Sequence, residues 1–176
     1  FCFLLALLSK GMAVAFPLTA LALHYALGQR LGSRRVTLGL APCFALSLVF
    51  GALAFAAQQS ADQLTGEAPW SLGERSLLAS RAFSLYLAKL VYPFPPLALS
   101  AWYPYPEPVD GALPAGFGLW GLPSFLVAAL FVFALARSRL LAFGLAFVAV
   151  NLFFVLPWFD VGYASLADRY TYVASF

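Results

Sequence analysis

Apolar residues fall in long unbroken runs along the chain, at residues 12–27, 36–57, 115–136 and 140–158, with a shorter run at 1–8. Each long run approaches or exceeds the roughly 18–20 residues that a helix needs to cross a bilayer. The connections are short and polar: Ser9-Lys10-Gly11, residues 28–35 and Arg137-Ser138-Arg139. Between residues 57 and 115 the pattern changes. Residues 58–73 form a polar stretch with Asp62, Glu67 and a Pro69-Trp70 turn signal. Residues 74–91 have helical periodicity but carry Arg75, Arg81 and Lys89, and residues 92–114 are too rich in proline for a long helix. A polar tail, 159–172, follows the last apolar run. Pro123 is expected to kink the 115–136 helix. The pattern predicts an all-α fold: part of one membrane domain over 1–176, a polytopic transmembrane helical bundle. Its spans lie at about 12–27, 36–57, 115–136 and 140–158, with 1–8 as the end of an earlier helix.

Composition agrees with the pattern. The chain is 63% hydrophobic and 10% charged, with a mean hydropathy of +0.89; soluble domains run near 45–50% and 25%. Cys2 and Cys43 both lie in apolar runs and read as small hydrophobes, with no disulfide expected.

The charges orient the helices. Residues 28–35 and 137–139 hold five arginines and no acid, and short cytoplasmic loops collect Lys and Arg. Both loops are therefore expected inside, which puts all seven acids on the other side. The 36–57 span leaves the cytoplasm and 115–136 returns to it, so the segment 74–91 should not cross. It is expected as an amphipathic helix on the outer face, with Leu77, Leu78, Leu85 and Leu90 toward lipid or the bundle. Arg75 and Lys89 would share a face about 21 Å apart along the axis, too far to touch one small phosphate. The same parity makes Ser9-Lys10-Gly11 an outer turn. The alternative, a single long helix burying Lys10 at mid-bilayer, would cost at least ~2.5–3.5 kcal/mol.

The outer surface thus gathers Lys10, Arg75, Arg81, Lys89 and Arg169 beside Trp70, Trp102, Tyr103, Tyr105, Trp158, Tyr163, Tyr170 and Tyr172. Cations at headgroup depth bind lipid phosphates, and aromatic faces suit sugar rings. An interfacial belt of snorkelling cations and aromatics would look the same. The run Leu166-Ala167-Asp168-Arg169-Tyr170-Thr171-Tyr172 is more specific. Arg169 could clamp a phosphate with its planar fork. Asp168 could orient an acceptor hydroxyl, take its proton, or pair with a nearby cation. His24 reads as interfacial, and without a second His or Cys at ligand spacing no metal site is expected. There is no Gly-x-Ser-x-Gly elbow, P-loop or dinucleotide turn. The net charge of +3 is explained by the arginine loops and gives no reason to invoke nucleic acid.

Several stretches, in order, carry a resemblance. They are Leu8-Ser9-Lys10-Gly11-Met12-Ala13-Val14 with Pro17, Arg75 followed by Tyr86-Leu87-Ala88-Lys89 with Pro93, Tyr103-Pro104-Tyr105-Pro106, and Ala167-Asp168-Arg169-Tyr170-Thr171-Tyr172. Together they resemble the membrane portion of the transmembrane O-mannosyltransferase-like proteins with tetratricopeptide repeats, including bacterial relatives, within the GT-C class of glycosyltransferases. The resemblance implies an integral membrane enzyme of a bacterial inner membrane or its equivalent, active on the extracytoplasmic face. It would move a sugar from a polyprenyl-phosphate carrier to a hydroxyl on protein, lipid or glycan. Asp168 and Arg169 would be catalytic; Lys10, Arg75, Lys89, Tyr105 and Tyr170 would bind substrate or lipid phosphate. Gly11 and Ala174 depart from residues common in those proteins, without removing a reactive group. The main catalytic carboxylate is expected in an outer loop before Phe1, and the repeats after Phe176. No soluble cofactor is implied, although the class leaves room for one divalent ion. Two other classes fit the pattern: a transporter or flippase, which should line a charged path at mid-membrane, and a non-catalytic membrane scaffold.

Overall fold

The computed structural model describes residues 1–60, 70–92, 105–107 and 112–158. Of these, 80% are helical and none forms a strand, so the fold is all-α. The helices are α1 (Cys2–Ser9), α2 (Phe16–Ala26), α3 (Arg34–Ser60), α4 (Leu72–Val91), α5 (Gly121–Arg137) and α6 (Arg139–Phe153), with 3-10 turns at Gly11–Ala15 and Phe117–Trp120. Among the described residues two stretches are long and apolar enough to cross a membrane: Arg34–Ala57, of 24 residues, and Phe117–Arg137, of 21. Only 6% of either is buried, unlike the core helix of a water-soluble domain, which hides its apolar side chains from water.

The chain divides into two compact units. The first comprises residues 1–60 and 129–154. Here α2 packs chiefly on α6, and α3 packs on α2 and on the Gly11–Ala15 turn. Small residues sit where helices approach: Ala15, Ala134 and Ala142 are buried with Leu7, Val36, Leu40 and Leu152. Several polar side chains in this unit bond within their own helix. Thr19 Oγ1 donates to the Ala15 carbonyl at 3.1 Å, Ser9 Oγ to Leu5 at 2.9 Å, and the buried Asn151 amide to Phe147 at 2.8 Å. Such i−4 bonds satisfy a side-chain polar group within its own helix.

Sequence explains most helix boundaries. The chain is extended at Lys10 (φ −153°, ψ 121°), which ends α1 and starts the 3-10 turn. Pro17 has no N–H to offer the Ala13 carbonyl, and the Phe16 N–H takes that acceptor instead, tightening the turn. At the end of α2, Gly28 is left-handed (φ 73°). Its N–H reaches the Tyr25 carbonyl and the Gln29 N–H reaches His24, both at 3.0 Å. This is a Schellman stop, for which glycine is the favoured residue.

Two boundaries differ from the expectation. Pro123 is the third residue of α5, where its missing N–H has no intrahelical acceptor anyway, so it starts the helix rather than bending it. Pro42 lies inside α3 instead and leaves the Leu38 carbonyl without its intrahelical donor. The run 140–158 is helical only to Phe153. Leu156 precedes Pro157, and a residue before proline disfavours helix. At 15 residues α6 is about 22 Å long, shorter than the ~30 Å hydrocarbon core.

The second unit comprises residues 61–128 and 155–176. Its main described element, α4, packs on the Phe117–Trp120 turn. Although 20 residues long, α4 is not apolar enough to count as a candidate span, because it carries Glu74, Arg75, Arg81 and Lys89.

Candidate functional site

The described part of the candidate site is organised by the start of α4. Ser71 caps the helix: its Oγ accepts from the Glu74 N–H at 3.3 Å, while Glu74 Oε2 accepts from the Ser71 N–H at 2.8 Å and from Ser71 Oγ at 2.7 Å. This reciprocal box satisfies two N–H groups that a helix start leaves open. The other carboxylate oxygen, Oε1, accepts from the Leu113 N–H at 3.2 Å and ties a distant loop to α4. Hydrogen bonds from the Ser71 side chain first, then its backbone, hold the Glu74 carboxyl below the ordinary carboxylate range.

Arg75 follows directly. Its Nε donates to the Trp70 carbonyl at 3.1 Å and its Nη1 to the Trp158 carbonyl at 3.4 Å. The guanidinium therefore holds together the entry to α4 and the chain after α6. Trp70 is buried at 5% exposure, so it is not one of an exposed aromatic belt. At least two of Arg75's five N–H donors are committed to backbone carbonyls.

The leucines expected toward lipid or the bundle are covered to different degrees. Of Leu77, Leu78, Leu85 and Leu90 only Leu78 is buried; the others are half-buried. The covered residues are Leu78, Ala79, Ala82, Phe83, Ser84, Tyr86 and Lys89. At 100° per residue, Arg75, Leu78, Ala79, Ala82, Tyr86 and Lys89 fall in a stripe about 100° wide. Lys89 is thus 8% exposed on the same face as the fully buried Tyr86. It also lies in the last turn of α4, where the helix dipole favours a cation. Arg75 and Lys89 do share a face, as expected.

Arg81 points elsewhere. Its guanidinium lies 5.7 Å from the Phe117 ring centre and 6.0 Å from that of Trp120, within the range of cation–π attraction. Burial lowers its affinity for a proton. The sequence places Arg81 among the outer cations but carries no signal for these rings, which lie about forty residues away in the chain.

Lys10 belongs to the first unit. It is exposed at the break between α1 and the 3-10 turn, where its N–H donates to Ala6 at 2.9 Å and its carbonyl accepts from Ala13 at 3.0 Å. Tyr105 is half-buried in irregular chain of the second unit. Asp168, Arg169 and Tyr170 lie outside the described residues. Among the described residues no group of three or more His, Cys, Asp or Glu could hold a metal ion.

Charge is divided sharply between the units. The first carries Lys10 and the five arginines 30, 34, 35, 137 and 139 without a single acid, while all seven acids belong to the second. The two arginine loops meet. Tyr25 Oη donates to the Leu135 carbonyl at 3.1 Å, and the Arg139 guanidinium stacks 5.9 Å from the Tyr25 ring centre. A methyl on Gly28 would lie 2.5 Å from Arg139 Nη1. Compared with protein-family models, with curated proteins and with solved structures, the chain matches none.

Proposed function

We propose that the chain is part of a polytopic membrane enzyme of the GT-C type, which transfers a sugar from a polyprenyl-phosphate carrier to a hydroxyl acceptor on the extracytoplasmic face. The observation that carries the reading is the division of charge: five arginines in two adjoining loops, and every carboxylate in the other unit. Short basic loops stay in the cytoplasm, so the acid-bearing unit with its Asp168-Arg169 run faces out. In this arrangement α4 does not cross. Its four charged residues and its apolar stripe fit a helix at the outer surface.

The resemblance of the Ser9-Lys10 turn and the Asp168-Arg169-Tyr170 run to GT-C enzymes supplies the roles. The acceptor oxygen attacks the anomeric carbon, the bond from that carbon to the phosphate oxygen breaks, and the acceptor proton passes to a carboxylate. Asp168 orients the hydroxyl or takes that proton. By that resemblance Arg169 stabilises the charge that grows on the departing lipid phosphate, and Lys10 is a candidate for binding lipid phosphate. Arg75 is a positioning residue, since its Nε and Nη1 bind the Trp70 and Trp158 carbonyls. Tyr86 and Lys89 line the same helix face, and Tyr105 and Tyr170 supply rings and phenols for the sugar. A transport path is disfavoured by Asn151, whose amide is consumed inside α6.

The test is sugar transfer in proteoliposomes from a radiolabelled polyprenyl-phosphate hexose, with membrane insertion followed in parallel. Asp168→Asn is expected to lower transfer about 10²–10⁴-fold, and Lys10→Ala to reduce it with insertion intact. Full transfer by Asp168→Asn would remove the catalytic role. Movement of the carrier without transfer by the unaltered protein would favour a flippase.

A further inference from the structure

The arginine end of the first unit has a feature that a topology signal alone does not require. α3 begins on Arg34-Arg35 behind Ser33, whose Oγ accepts from the Val36 N–H at 3.4 Å. α6 begins on Arg139 behind Ser138, whose Oγ accepts from the Leu141 N–H at 3.3 Å. Neither helix has an acid in its first turn. A helix start is the positive end of the dipole and favours anions over cations. Three arginines therefore stand where the local field opposes them, in a unit that holds no carboxylate.

They are also gathered. Arg139 is held by the Tyr25 ring and lies against Gly28. Arg30, Arg34 and Arg35 follow Gly28 by two, six and seven residues, so their Cα atoms lie within about 7, 22 and 25 Å of the Gly28 Cα. Arg137 lies two residues before Arg139 and, like the other four, is exposed. Apolar side chains flank them: Leu27, Leu31 and Leu140 are all exposed. An exposed, acid-free arginine cluster edged by leucine matches a surface of phosphates above hydrocarbon.

We propose that this end of the first unit is a binding site for anionic phospholipid headgroups of the leaflet opposite to the sugar-transfer face. The headgroup phosphate lies between the two loops, where Arg139 from one and Arg34 and Arg35 from the other approach it. Its charge offsets the repulsion among the arginines and satisfies the two helix starts. Gly28 is part of the site because its bare Cα leaves room for the Arg139 guanidinium.

The experiment uses the purified protein in nanodiscs of phosphatidylcholine with one fifth phosphatidylglycerol. Spin-labelled lipids of either headgroup report occupancy, and glycerol 3-phosphate is added as the free-phosphate arm. Phosphatidylglycerol is expected to be favoured by about fivefold for each arginine that meets it, with the preference falling as salt rises. Glycerol 3-phosphate should not displace it, since the flanking leucines need the acyl chains. Arg34→Gln, Arg35→Gln and Arg139→Gln together should bring the preference close to one. Gly28→Ala should lower it with every charge retained, and Arg→Lys at the three positions, which keeps the charge and guards against misfolding, should keep most of it. Equal occupancy by the two lipids would overturn the proposal. So would a preference untouched by the triple Gln variant, or displacement by glycerol 3-phosphate or by added RNA.

Discussion

Gly28→Ala tests the packing of the two arginine loops with a single methyl group. Two costs combine. Gly28 has φ 73°, and a residue with a Cβ pays about 1–2 kcal/mol in the left-handed region. The new Cβ would also stand 2.5 Å from Arg139 Nη1. The guanidinium ends a flexible side chain and can swing away, but it then leaves the Tyr25 ring, a contact worth about 0.5–1 kcal/mol at an exposed site. The expected loss is about 1.5–3 kcal/mol. Gly116 separates the two costs: it has φ 85°, and a Cβ there would meet none of the described residues within 4 Å, so Gly116→Ala should pay only the backbone part. The assay is unfolding by SDS titration in mixed micelles, followed by circular dichroism. Gly28→Ala should cost more than Gly116→Ala in the unaltered protein and about the same when Arg139→Gln is present. An equal cost in both backgrounds would refute the contact between Gly28 and Arg139.

Other outcomes follow from the second unit and from α3. Ser71→Ala removes the cap of α4 and should cost about 1 kcal/mol, read in the same titration. Glu74 has a lowered folded-state pKa, so its stabilisation is complete above the unfolded carboxylate value of about 4.3 and is lost as pH falls through the lower folded value. Stability should therefore drop on acidification through that window in the unaltered protein more steeply than in Glu74→Gln; parallel curves would contradict it. The Ser47 hydroxyl is buried without a hydrogen-bond partner among the described residues, and Ser47→Ala should lose nothing and gain up to about 1 kcal/mol.

Whatever depends on runs and local chemistry can be read from the sequence. The long helix over Arg34–Ser60 is visible because 36–57 is uninterrupted in hydropathy. The break at Lys10 is visible because a charge interrupts an apolar run. The Ser71-Leu72-Gly73-Glu74 spacing of a capping box is also present, but the pattern of charges draws attention to Arg75 and Lys89 instead. The buried stripe of α4 escapes a reading that traces it by leucines. Ala79 and Ala82 are buried with Tyr86 and Lys89, since small side chains mark close approach better than large ones do. Pro123 misleads because a proline near a helix start and one inside a helix look alike until the boundary is known. Long-range partners leave no local trace: Arg75 reaches Trp158 across 83 residues, and Glu74 reaches Leu113 across 39. Of the expected site, Lys10, Arg75, Lys89 and Tyr105 have described surroundings, while Asp168, Arg169 and Tyr170 do not.

Sidedness decides the account most directly. Single cysteines would be placed at Gly32, where a Cβ meets nothing within 4 Å, and at Ala61, Ala112 and Ser165, after the free cysteines Cys2 and Cys43 are changed to alanine. A membrane-impermeant maleimide is then applied to right-side-out and inside-out vesicles. Positions 61, 112 and 165 should react only in right-side-out vesicles and position 32 only in inside-out ones. Reaction of position 165 from the cytoplasmic side, or of 61 and 112 from opposite sides, would contradict the account.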